Sequence, residues 1–281
     1  MTRRCASTLA ALALAGCSST SPPSPPVPLQ GVVSLDYCAD QMVLGLVPRA
    51  DIRGISPEAD SDASFSTPRA RGIARVRPSL EEIAALRPRY AVRMYGGAPG
   101  IDRQLAALGI TVIQLNFATK LADIAPELQR VGAALDAAPH AARLRQDFLA
   151  KVAAAQRTVP NRPPSLLYIT PGDVTTGPDS LVGEVIRAAG FRPIRKETGW
   201  GSIPVEAMVR RPPDAALRAF FDSPRYRQDR WSSSAHPRLQ QLLAGVPAAT
   251  VPGSALGCGN WLAGDAIAAL TRLRQNIDTP S

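Results

Sequence analysis

The sequence predicts an α/β protein built as two lobes joined by one long α-helix. Three observations carry this. First, Ser79–Met94, SLEEIAALRPRYAVRM, is echoed by Pro204–Asp222, PVEAMVRRPPDAALRAFFD. Each copy reads as a short helix, a proline that ends it, and a short apolar strand. Placing Glu81 on Glu206 puts Ile83 on Met208, Pro88 on Pro213 and Ala91–Val92 on Ala216–Leu217. Copies this far apart are not a solenoid, whose units recur every 20–50 residues or so. They imply two similar lobes, and a cleft between lobes is where small ligands bind. Second, Pro139–Arg157 is the longest clean helical pattern, with Ala142, Leu144, Phe148, Leu149 and Val152 recurring at helical spacing. At about 1.5 Å per residue it spans roughly 28 Å, enough to run between lobes. Third, the other apolar runs are short and alternate with helical patterns, the grammar of a parallel sheet covered by helices.

In chain order, Val32–Asp36 is the first strand, and a polar turn at Asp36–Asp40 leads into a helix carrying Met42, Val43, Leu44 and Leu46. Asp51–Ile55 is a second strand, and the polar, non-periodic Glu58–Arg75 reads as a loop. The first repeat copy follows. Its strand ends at Tyr95-Gly96-Gly97, where glycines allow close backbone approach by a ligand. Ile101–Leu108 is a helix stopped by Gly109, Thr111–Leu115 a strand, and Ala122–Leu135 an amphipathic helix. After the long helix, Ser165–Thr170 opens the second lobe as a strand. Pro171–Ser180 is a loop ending in good helix caps, Leu181–Ala189 a helix, and Lys196–Ser202, KETGWGS, a loop. Trp200, between two glycines, has little local support for burial and reads as a stacking platform. The second copy, a polar stretch at 222–234, a helix at Pro237–Leu243, a strand at Ala249–Val251, a turn at Gly253–Gly259 and a helix at Leu262–Leu273 complete the chain. The lobes are then 31–118 and 158–281, with 119–157 connecting them.

Residues 1–17 are a secretory signal: Arg3 and Arg4, a short apolar core, then Leu14-Ala15-Gly16-Cys17. The cysteine directly after small residues resembles a bacterial lipobox, which implies cleavage before Cys17 and acylation of its thiol. Ser18 leaves open which membrane holds the anchor. Residues 18–30, rich in Pro and Ser, read as an extended tether. Cleavage lowers Lys+Arg from 32 to 30 against 23 Asp+Glu, leaving +7. The basic residues are scattered and mostly Arg, with no basic block interleaved with aromatics, so nucleic acid is not the expected partner. A basic surface attracts anionic ligands or lipid headgroups. Processing leaves Cys38 and Cys258 in an oxidising compartment. They form a disulfide or stand as two free thiols near a ligand site.

Catalytic signatures are missing. Only two histidines exist, and no GxSxG, HExxH, P-loop or GxGxxG is present. No Cys/His spacing suggests a metal site, and no cofactor is expected. A thiol-dependent envelope hydrolase using Cys38 is the least poor enzymatic reading, and a structural envelope lipoprotein a third.

The order of SLDYCADQMVLGL, SLEEIAALRP with its strand and YGG, LGITVIQL, the long helix and GWGSIPVEAMVRRPPDA resembles the helical-backbone class of ABC-transporter substrate-binding proteins. These serve cobalamin, ferric siderophores or heme, and the resemblance covers roughly residues 31–273. It implies two Rossmann-like lobes, a shallow cleft that closes only slightly, and no reaction. It also implies a monomer that delivers a metal-chelate ligand to permease and ATPase subunits. One surface glutamate per lobe, Glu81 and Glu206, would dock on permease arginines. In the cobalamin binders a tryptophan six residues before the second glutamate packs on the ligand, and Trp200 fits that spacing. Their aromatic before the first-lobe helix has no counterpart here, where Arg75 and Arg77 stand instead. The expected ligand-binding set is Tyr37, Cys38, Arg75, Tyr95, Gly96, Gly97, Trp200, Gly201 and Trp261. A corrinoid leads, with ferric siderophore or heme as the alternative.

Overall fold

The computed structural model describes residues 29–60, 65–172, 174–203, 205–221 and 237–278. The expected signal with Cys17, nearly all of the expected tether, and the polar stretch 222–236 with His236 lie outside them. The first lobe contains β1 (Val32–Ser34), α1 (Tyr37–Leu46), β2 (Ile52–Gly54), α2 (Ser66–Ala70), α3 (Leu80–Leu86), β3 (Tyr90–Arg93), α4 (Ile101–Ala107) and β4 (Thr111–Gln114). Two helices follow, α5 (Leu121–Ala134) and α6 (Ala138–Gln156). The second lobe contains β5 (Ser165–Ile169), β6 (Val174–Thr176), α7 (Leu181–Ala188), β7 (Arg192–Pro193), β8 (Trp200–Ser202), α8 (Val205–Arg210), β9 (Ala215–Ala219), α9 (Pro237–Ala244), β10 (Ala248–Val251) and α10 (Ala263–Asp278).

The sheets show why the sequence repeats. One four-stranded sheet runs β2-β1-β3-β4 and the other β10-β9-β5-β7, all pairs parallel. Read from its other edge, the second is β7-β5-β9-β10. With the small antiparallel β6–β8 pair set aside, both lobes have the order second, first, third, fourth. The repeated segment supplies the third strand each time. Ala91 pairs with Val33 of the lobe's first strand, and its counterpart Ala216 pairs with Leu167. Ile83 and Met208, equivalent in the repeat, are both fully buried on the helix before that strand.

Parallel sheets are buried on both faces, and these are. Val33, Leu35, Ile83, Ala91 and Leu105 pack on one face of the first sheet, and Leu167, Ile169, Met208 and Leu239 on one face of the second. A single large cluster covers the remaining faces. It joins Met42 and Leu46 of α1, Phe148 of α6, Val185 and Ile186 of α7, and Ile267 and Leu270 of α10. The lobes therefore share one apolar core, with the nineteen-residue α6 inside the connection.

Local chemistry sets the boundaries. Asp36 caps α1 by accepting the Ala39 N–H at 2.9 Å, and Ser180 caps α7 by accepting that of Gly183 at 2.9 Å. Helix α3 stops where Arg87 turns left-handed, φ 48°, just before Pro88. Three expectations need correction, one of them the Pro171–Ser180 loop, which contains β6. The Glu58–Arg75 loop contains α2, whose five residues are too short to show helical periodicity. The Lys196–Ser202 loop ends in β8, which pairs antiparallel with β6, and three-residue strands give no alternation to read. Strand β7 is two residues long and holds Pro193, tolerated because β7 is an edge strand.

Candidate ligand cleft

In an open parallel sheet, ligands bind outside the carboxyl ends of the strands, where neighbouring connections diverge. In the first lobe that point lies between β1 and β3. Asp36, on leaving β1, builds it. One carboxylate oxygen caps α1, while Oδ2 accepts the N–H groups of Met94, Tyr95 and Gly96 at 2.6, 2.9 and 2.8 Å. This clamp turns Tyr95 outward, where it is 52% exposed. Its hydroxyl donates to Glu58 Oε2 at 2.7 Å, and the same oxygen accepts the Tyr37 N–H at 3.0 Å. Partial burial and the Glu58 carboxylate raise the Tyr95 phenol well above its ordinary range. Phe117, just past β4, is also exposed at the carboxyl edge. Its place three residues beyond the end of β4 is the signal in the sequence that marks it.

In the second lobe the corresponding point lies between β5 and β9. The chain leaving β5 forms β6, which pairs antiparallel with β8, the strand that carries Trp200. Trp200 is 57% exposed, and its ring meets Tyr168 of β5 edge-on, centroids 6.2 Å apart at 64°. Tyr168 is itself buried, so the indole has one supported edge and an open face. At the end of β9, Phe220 holds a left-handed backbone, φ 65°, with its ring against Gly253.

Several expected ligand residues serve the fold instead. Tyr37 and Trp261 are buried, at 6% and 5% exposure, and offer no open face. Cys38 is bonded to Cys258. That bond leaves no thiolate at Cys38, so the hydrolase reading loses its nucleophile. The close approach at Gly96 is by the protein's own chain: a Cβ there would lie 2.0 Å from the Leu35 carbonyl oxygen. Gly97, φ 89°, makes the turn that follows. Gly201 faces away from the Trp200 side by strand alternation and lies under the Arg195 guanidinium. Arg75 donates to the carbonyls of Ala70 and Ile73 at 3.1 and 2.7 Å, closing the end of α2. Arg77 pairs with Glu82. Of the expected set, the structure leaves Tyr95 and Trp200 as exposed aromatics, one at each lobe's divergence point.

Behind this edge sits Asp40, fully buried. The Ser34 hydroxyl donates to its Oδ1, the Ser56 N–H does so at 2.9 Å, and the Ser56 hydroxyl donates to Oδ2 at 2.6 Å. Burial pushes the carboxyl up to about 6, helped by the nearby Asp36 charge and opposed by those hydrogen bonds. The folded protein then holds this proton more tightly than the unfolded chain. The stability it contributes is complete below about pH 4 and lost as pH rises through about 6, on the order of 3 kcal/mol. Asp40→Asn keeps the acceptor toward Ser34 and removes the titration. Urea unfolding at pH 4.5 and 7 is expected to show the pH-dependent loss in the native chain and a flatter response in the variant.

The model of the family described as periplasmic binding protein matches residues 32–230. That is well over half of the chain. The chain belongs to the periplasmic binding protein family. No curated protein sequence matches it. Among solved structures it is similar to the periplasmic heme binding protein HutB of Vibrio cholerae: TM-score 0.70, 17% identity, covering 87% of this chain and 98% of that one. It is similar to the periplasmic heme-binding protein RhuT from Roseiflexus sp. RS-1, with TM-score 0.67, 20% identity, and 89% and 100% coverage. It is also similar to the periplasmic vitamin B12 binding protein BtuF of Vibrio cholerae, with TM-score 0.61, 16% identity, and 91% and 100% coverage. In this periplasmic binding protein, Glu81 and Glu206 are both exposed in the first turns of α3 and α8. Each helix runs back against its sheet, so each carboxylate lies toward the strands' carboxyl ends. Among the described residues, no helix is long and apolar enough to cross a membrane.

Proposed function

We propose that this binding protein is the substrate-binding component of an ABC importer, and that its cargo is a bulky metal chelate with a flat apolar face. The observation that carries this is the pair of exposed aromatics, Tyr95 and Trp200, one from each lobe. An open indole face and an open phenol suit a flat macrocycle. The exposed Tyr95 hydroxyl favours an iron centre. A phenolate is a ligand that heme iron accepts, and the charge of a bound ferric ion, not Glu58, would displace the phenol proton. HutB and RhuT, two of the similar structures, are heme-binding proteins, which supports the same choice. An iron porphyrin therefore replaces the corrinoid as the leading cargo. Trp200, six residues before Glu206, favours a corrinoid as the second reading. A ferric siderophore is the third.

The protein performs no reaction in this reading. It acts as a monomer held at the membrane by lipid on Cys17, and Glu81 and Glu206 dock it on the permease before the ATPase subunits drive uptake. Parallel calorimetric titration with ferric protoporphyrin, cyanocobalamin and two ferric siderophores tests the cargo. Saturable binding of ferric protoporphyrin is expected, with a visible spectrum that Tyr95→Phe changes. Heat signals at the dilution background for all four would remove the transport reading.

A further inference from the structure

A short segment of the second lobe, Cys258–Trp261, is built into the first. It follows β10 and precedes α10, yet each of its four residues meets first-lobe partners. Cys258 is bonded to Cys38 across 220 positions of chain. Gly259, φ 60°, packs on the Ala118 backbone so closely that a Cβ would lie 3.0 Å from its carbonyl oxygen. Asn260 donates through Nδ2 to Gln41 Oε1 at 2.5 Å, both residues buried. The Trp261 ring fills the space over Gly45, where a Cβ would lie 2.5 Å from it, and meets Phe65 edge-on at 5.8 Å. Cys38, Gln41 and Gly45 are spaced three and four apart on α1, so they form one stripe of that helix. A covalent bond, a buried amide pair and a buried ring thus grip one helix face.

We propose that Cys258–Trp261 is an interlobe latch that fixes the separation of the lobes before any ligand arrives. Hinged closure requires one flexible connection about which the lobes rotate. Here the lobes share the α5–α6 connection and one apolar core, and the latch adds a covalent tie. The latch also reaches the cleft wall. Cys38 adjoins Tyr37, whose N–H holds Glu58, and Glu58 holds the Tyr95 hydroxyl. The Tyr95 side of the site is therefore preset rather than assembled around the guest. Any cargo would be met by the same preset cleft, so the inference does not depend on which chelate binds.

The test uses the ligand-free full chain, so it stands or falls separately from the transport reading. Nitroxide labels on cysteines replacing the exposed Leu108 and Val209, one per lobe, report the interlobe distance by pulsed dipolar spectroscopy. A single narrow distribution is expected with the latch intact, and one about twofold broader in Cys38→Ala/Cys258→Ala, where the lobes regain hinge motion. Two distances in the intact protein, or an unchanged narrow peak in the alanine pair, would overturn the latch. If the alanine pair does not fold, Gly45→Val decides. It keeps the bond but displaces the Trp261 ring, and must broaden the distribution; an unchanged peak there also overturns the proposal.

Discussion

Reversing Glu81 and Glu206 together to arginine abolishes cargo uptake by cells, while the purified double variant binds cargo within about twofold of the native protein. Both carboxylates are exposed and sit at the start of helices, away from the sheet core. Their removal therefore leaves the cleft as it was. The helix dipole favours an acid in a first turn by about 0.3–1 kcal/mol, so reversal lowers the melting temperature only slightly. At a docked interface the balance differs. Breaking a buried charge pair costs about 2–5 kcal/mol, and reversal adds like-charge repulsion. Two such losses, one per lobe, exceed a thousandfold in affinity for the permease at about 1.4 kcal/mol per tenfold. Single reversals give intermediate uptake. Undiminished transport in the double variant, with the protein present at normal level, would end the docking assignment.

Trp200→Ala weakens cargo binding roughly 30- to 100-fold, a loss of about 2–3 kcal/mol for an indole face covered by an apolar guest. The melting temperature stays close to native, because the ring is 57% exposed and touches the core only through the Tyr168 edge. Trp200→Phe restores most of the affinity, since a smaller flat ring keeps the stack. An unchanged dissociation constant in the alanine variant would take Trp200 out of the site. A collapse of stability would instead make it a core residue.

The repeat made the architecture legible. Ile83 and Met208 occupy equivalent buried positions because the same sheet order is built twice and each copy must cover it. Trp200 was readable because two glycines leave an indole no local core to enter. The errors also have physical reasons. Trp261 and Tyr37 looked like cleft aromatics because the chain near them is polar or turning. Their burial comes from partners about 200 residues away, Gly45 for one ring and Cys258 beside the other, which no local pattern reports. Arg75 looked available because its partners are backbone carbonyls of a helix too short to read. Gly96 was assigned to a ligand when the chain crossing it is its own first strand.

One guest is held between an aromatic from each lobe in the proposed complex. The direct measurement is the dissociation constant of ferric protoporphyrin for the native protein and for Tyr95→Ala/Trp200→Ala. Micromolar or tighter binding by the native protein, weakened about a hundredfold or more in the double variant, is the predicted result. Equal affinity in the two proteins would place the guest elsewhere and contradict the account.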